Sequence, residues 1–332
     1  MRCTLLTLAL FAVAASLTAQ TPAPPRPTGN ANAMNGVDSY PNPGAIKYAQ
    51  ALDPHAPQPD IYLSDWQGSL PRAEHGSLVL RDILTHGDNF APIERGAVLS
   101  ALNFLALGRL APGNITTTDK LTGRQEVYFI LSGTGSVTAS GITTPLHANS
   151  AVLVPANLAF SLANSGDDDL TMYVICEPIP EDFIPKTAIV VKDESQVRQR
   201  TPGKDDPYIV GGASGHWAHI VRELFSPADG LATMQSVITV TINPHTMGEP
   251  HPHVLGHEEI WAAISGTTLA MLGTSLREQR PGMAYMLRPD NYTVHSNINA
   301  SDEPAKFLYF AHFPPTMDYI HAVPPAVPVP AK

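Results

Sequence analysis

The chain is poor in cysteine, in clustered positive charge, in helix signals and, beyond its first twenty residues, in long apolar stretches. Its 332 residues include two cysteines, Cys3 and Cys176. Cys3 precedes an N-terminal apolar run, so a chain trimmed after that run keeps Cys176 alone. A single thiol excludes an internal disulfide and leaves stability to packing. The formal net charge is −10, and with no long basic run a nucleic-acid partner is not expected. Nothing after residue 20 approaches the roughly 20 consecutive apolar residues of a bilayer span, so no membrane association is expected once the leader is gone.

What is there begins with that leader. Arg2 is followed by an apolar run, Thr4 to Leu17, and then by small and polar residues around Ala19 and Gln20. A positive start, a short apolar stretch and a small residue at the cut read as a secretory signal peptide over 1–19, which predicts a secreted or periplasmic protein. Pro22, Pro24 and Pro25 would end any helix at once. Residues 20–60, rich in Pro, Ala and Asn without a lasting period, read as an extended arm. A Pro-rich tail occupies 314–332.

Between these ends, short apolar runs are broken by Gly, Pro, Asn and Asp: Ser77–Leu80, Val98–Leu107, Val127–Leu131, Ala151–Val154 and Leu170–Cys176. That punctuation predicts an all-β chain of antiparallel sandwiches or barrels. Asp167-Asp168-Asp169 reads as a solvated hairpin turn. The stretch after Gln125 resembles the stretch after Glu258, with Glu126 and Glu259 133 residues apart, as are Gly133 and Gly266. Pro155 and Pro289 then lie 134 apart, and Asn164 and Asn299 lie 135 apart, the drift that small loop insertions produce. The chain is therefore two copies of one β unit, over 61–184 and 215–313, with a linker at 185–214.

The second copy carries the chemistry. His251 and His253 are two apart, and on a strand residues i and i+2 face the same side. Together they can grip one ion, with a carboxylate at Glu258 or Glu259 and an imidazole from His295 on a later strand completing the set. Three imidazoles and a carboxylate leave two positions open on a six-coordinate metal, which suits Mn(II) or Fe(II) better than a closed four-coordinate zinc site.

Gly248-Glu-Pro-His251-Pro-His253…Glu258-Glu259, followed by Gly266, resembles the first sequence motif of the cupin superfamily. Pro289-Asp-Asn-Tyr-Thr-Val-His295…Asn299 resembles its second. The resemblance spans about 95–178 and 235–313 and implies two tandem jelly-roll barrels, each with a site inside its mouth. Glu258 fits the family's usual gap from the second histidine. Glu259 alone keeps the gap to Gly266 and aligns with Glu126, and is the expected ligand. Asn291 stands where the family usually has Gly, and Asn tolerates a left-handed turn. Glu258 and His257 are the proton-transfer candidates. Trp261, on the face of Glu259, is expected to line the cavity, as are Met286 and Tyr292.

In the first copy Thr118, Lys120 and Phe160 stand opposite His251, His253 and His295, and only Glu126 survives. That copy is expected to hold no metal, with the Lys120 ammonium paired to Glu126. The family includes oxalate-degrading enzymes, dioxygenases, sugar binders and members without known activity. The resemblance thus implies one divalent metal and a small-molecule substrate or ligand. An oxidoreductase or lyase acting on a small oxygen-rich molecule is the expectation. A sugar- or organic-acid-binding cupin and a storage or structural bicupin are the alternatives. The arm is long enough to reach another copy, which makes a homo-oligomer a further expectation.

Overall fold

A computed structural model describes residues 58–200, 219–253 and 255–313. The expected signal peptide, most of the arm and the Pro-rich tail lie outside them. Among the described residues there is no α-helix; three short 3-10 turns (Pro59–Tyr62, Trp66–Gly68 and Glu194–Gln196) accompany the strands. The strands form two barrels. An eight-stranded and a four-stranded sheet make the first, and a six-stranded and a five-stranded sheet make the second.

Burial explains the texture of the sequence. In the strand Arg124–Ser132 the residues Tyr128 and Ile130 face the first barrel's interior, whereas Val127 and Phe129 join the core shared between the barrels. A strand buried on both faces reads as an unbroken apolar run rather than an alternating one. The long run Val98–Leu107 is two strands, Ala97–Leu99 and Phe104–Leu110, because Ser100 and Ala101 turn towards the other barrel. Asp167, Asp168 and Asp169 sit exposed on the connection between Ala159–Asn164 and Leu170–Pro178.

The duplication extends to the leader of each unit, and there the chain crosses over. Leu63–Asp65, ahead of the first barrel, pairs with Met283–Met286 in the second barrel's sheet. Val190–Asp193, ahead of the second barrel, pairs with Ser150–Val154 in the first. Each leader ends in an aspartate, Asp65 or Asp193, whose carboxylate caps the 3-10 turn that follows. The two strands lie just after the expected segment starts at 61 and 185 and make a reciprocal strand exchange within one chain.

Two buried carboxylates hold the barrels together. Oε1 of Glu258 accepts from the Ser100 amide and hydroxyl and from the Ala101 amide. In the other direction, Oε1 of Glu177 accepts from the amides of Ala232, Thr233 and Met234 and from the Thr233 hydroxyl. Gln125 adds bonds to Glu177 and to the Gly230 carbonyl, and the Tyr173 hydroxyl donates to the Ala263 carbonyl.

Candidate metal centre

The strand Glu258–Ser265 sorts its two glutamates by period. Successive side chains point to opposite faces, so when Glu258 turns to the first barrel Glu259 must turn into the second. The short strand His251–Pro252 pairs with Val294–Asn299, setting His251 opposite His295. Asn291 adopts φ 65°, the left-handed bend that its position demands, and its amide donates to the His253 carbonyl at 2.9 Å. That bond ties the loop carrying His253 to the turn before His295.

The result is a cluster in which His251, His253, Glu259 and His295 each present a ligand atom, all within 4.8 Å of one another and all buried. His253 Nε2 and His295 Nε2 are 2.7 Å apart, and Glu259 Oε1 lies 3.3 Å from each. Two donors in adjacent positions on one ion, each at about 2.1 Å, would be separated by roughly 3 Å. The donor set therefore fits a single first-row cation.

The surroundings prepare each ligand. His251 Nδ1 donates to the Glu249 carbonyl at 2.8 Å, leaving Nε2 to face the cluster. His295 Nδ1 lies 2.9 Å from the Tyr285 hydroxyl, which fixes the ring with Nε2 facing the cluster. Trp261 Nε1 donates to Glu259 Oε1 at 2.6 Å and the Tyr309 hydroxyl to Oε2 at 2.9 Å, so each carboxylate oxygen is oriented by one donor. Burial opposes ionisation of Glu259, yet the imidazoles of His253 and His295 outweigh it and hold its carboxyl well below the usual range.

Of the proton-transfer candidates, the structure places one beside this cluster. His257 is buried against the His253 ring, with centroids 4.1 Å apart, and its Nε2 is 3.9 Å from Glu259 Oε2. Burial, with the His253 imidazole beside it, keeps it well below its ordinary pKa and neutral. Phe313 covers its other side. Glu258 lies elsewhere, its carboxyl engaged with Ser100 and Ala101. Trp261 is where the pattern placed it, though as a donor to Glu259 rather than mere wall. Met286 is not on the site side. Its neighbour Tyr285 faces His295, and alternation sends Met286 into the apolar core. Tyr292 is 45% exposed and lies outside the cavity. Tyr285, Tyr309 and the Glu249 carbonyl carried no signal in the sequence, because their roles depend on strand register.

The first barrel departs from expectation in its cation. Lys120 is exposed. Glu126, fully buried, meets His75 Nε2 at 3.0 Å, the Tyr128 hydroxyl and, at 3.3 Å, Arg124 Nη2. Lys120 lies on the strand Asp119–Lys120 next to Asp119, and alternation that brings Asp119 to His75 sends Lys120 to solvent.

The family model described as "Cupin domain" matches residues 106–176, within the first barrel. No curated protein matches the chain. Among solved structures it is similar to protein Ylba from E. coli, at 13% identity over 80% of this chain and 96% of that one, with a TM-score of 0.55. The oxalate decarboxylase of Lactobacillus farciminis, in its formate complex, is 14% identical over 76% of this chain and 85% of that one, at TM-score 0.53. A variant of the Bacillus subtilis oxalate decarboxylase is 15% identical over 76% of each chain, at 0.51. Residues 106–176 thus match a cupin domain, and the two-barrel fold of the chain is that of the structures it resembles. Its second barrel carries a His/Glu cluster suited to a metal.

Proposed function

We propose that the chain is an exported metal-dependent enzyme with one divalent ion, Mn(II) or Fe(II), in its second barrel. It acts on a small oxygen-rich molecule as a dioxygenase-like oxidoreductase or as a lyase of the decarboxylase type. The observation that carries this reading is the convergence of three imidazoles and Glu259 on one point, with the Nδ1 atoms of His251 and His295 both engaged away from it. Such preparation suits a cation rather than a packing role. Held by His251, His253, Glu259 and His295, the ion would supply Lewis acidity towards an oxygen-rich ligand.

The chain's own residues do the rest. Glu259 stays ionised and oriented by Trp261 and Tyr309. His257, 3.9 Å from Glu259 Oε2, is the candidate proton-transfer group beside the cluster. Glu258 has no part in the reaction, because its carboxyl is committed to the interdomain contact. The neighbours that act on oxalate support a small acid as the first substrate to try. The leader predicted over 1–19 supports export.

The test is metal-loaded protein assayed with oxalate and related small acids, following CO2 release and O2 consumption. Turnover that is lost in a folded His295→Ala variant supports the enzyme. Tight binding without turnover would replace it with a binding barrel.

A further inference from the structure

The first barrel kept its carboxylate and lost its histidine ligands, yet Glu126 is fully buried. An uncompensated buried carboxylate costs several kcal/mol. The compensation enters from outside the repeat. His75 sits on the tight turn between Arg72–Glu74 and Leu78–His86, at φ 48°, beside Gly76 at φ 79°. A histidine there is held in the left-handed region, where a non-glycine residue is strained. The strain is offset by what its ring reaches. Nε2 is 3.0 Å from Glu126 Oε2, Nδ1 is 3.0 Å from Asp119 Oδ2, and the ring packs edge-on to Phe160, the residue that replaces the third ligand. The parallel with the second barrel is close. Tyr128 donates to Glu126 as Trp261, at the same offset, donates to Glu259.

Both ring nitrogens face carboxylates, and two acceptors demand two N–H donors, which an imidazole has only when protonated. We propose that the first barrel has exchanged its metal ion for a proton: the His75 imidazolium is the cation of Glu126, and it closes that barrel to metal.

Glu74, His75 and Glu126 could by distance alone hold an ion. Their charges are already matched. Glu74 is paired with Arg72 and, at 2.6 Å, with Arg124, which also stands 3.3 Å from Glu126 Oε1. A divalent ion would have to displace a guanidinium and a proton together. The groups facing His75 are thus Glu74 and Arg72 from its own hairpin, Arg124, Glu126 and Tyr128 from the next long strand, and Asp119. Cys176 stands opposite Glu126 in register, but burial pushes its thiol up to about 12, so it brings no charge. Burial works against a charged His75, but Glu126 and then Asp119 outweigh it and raise its pKa above the ordinary 6.5.

The experiment reads the proton directly in the full chain. The His75 Cε1–H resonance, assigned by its absence in His75→Gln, should titrate above 6.5. A midpoint at or below that value overturns the proposal. The stability follows with a definite sign. A raised folded-state pKa contributes stability that is complete below the unfolded value and is lost as pH rises through the folded one. The wild type should therefore exceed His75→Gln most in mildly acidic buffer, and the gap should close with alkalinity; a gap that widens with pH contradicts the proposal. Metal loading supplies the third arm. A His251→Ala/His253→Ala chain should bind no Mn(II), and one equivalent retained there but lost on adding Glu126→Gln would overturn the closed barrel. If the parent chain itself takes up no metal, the reading of the second barrel fails while the His75 titration still decides this one.

Discussion

Replacing Glu258 with alanine separates a structural from a catalytic glutamate. Its Oε1 accepts the Ser100 amide, the Ser100 hydroxyl and the Ala101 amide, all across the barrel–barrel contact. Alanine leaves two part-buried amides and a hydroxyl without an acceptor, each worth about 1–3 kcal/mol. Removing the buried carboxylate recovers part of that, because its Oε2 is buried with no hydrogen-bond partner of its own. The net loss should be about 3–5 kcal/mol, or on the order of 10 °C in Tm for a protein of this size. Glutamine, whose amide oxygen can still accept all three, should cost about 1–2 kcal/mol. Thermal and denaturant unfolding would measure both. The reasoning is refuted if Glu258→Ala melts within a degree or two of the wild type, or if it abolishes activity while leaving stability unchanged.

The other predictions touch the centre and its pseudo-symmetric counterpart. Tyr285→Phe should lower Mn(II) or Co(II) affinity by about 10–100-fold with little change in apo stability, read by equilibrium dialysis and the Co(II) absorption bands. Trp261→Phe should do the same through Glu259, and a variant that binds metal as the parent does would remove Trp261 from that role. Lys120→Ala should change stability by less than about 0.5 kcal/mol, as expected for an exposed side chain; a loss of several kcal/mol would restore the Lys120–Glu126 pair. Chelation should lower the Tm of the holoprotein by an amount that grows with the logarithm of metal concentration, and an unchanged Tm would mean no metal is held.

The legible parts of this molecule are the local ones. His251 and His253 are two residues apart, and the choice between Glu258 and Glu259 turns on period alone, so each could be read from spacing. The left-handed turn at Asn291 could likewise be read from residue type. The internal repeat exposed the loss of ligands in the first barrel because it compares like with like. That same comparison misled at Lys120. Aligning two copies can name what stands opposite a lost ligand, but His75 comes from a hairpin 51 residues before Glu126 and has no counterpart in the ligand motif. The exchange of leader strands was hidden for a related reason. Leu63–Asp65 is three residues long and pairs with a segment more than 200 positions away, and nothing in so short a stretch specifies its partner. Glu177 follows the apolar run Leu170–Cys176, and only the register that sets it opposite Gln125 reveals it as a clasp on Thr233.

The central claim is that one barrel holds an ion and the other does not. Elemental analysis of the purified chain beside a His251→Ala/His253→Ala variant tests it most directly. The account predicts about one equivalent of Mn or Fe in the parent and none in the variant. Two equivalents in the parent, or none after loading with either metal, would contradict it.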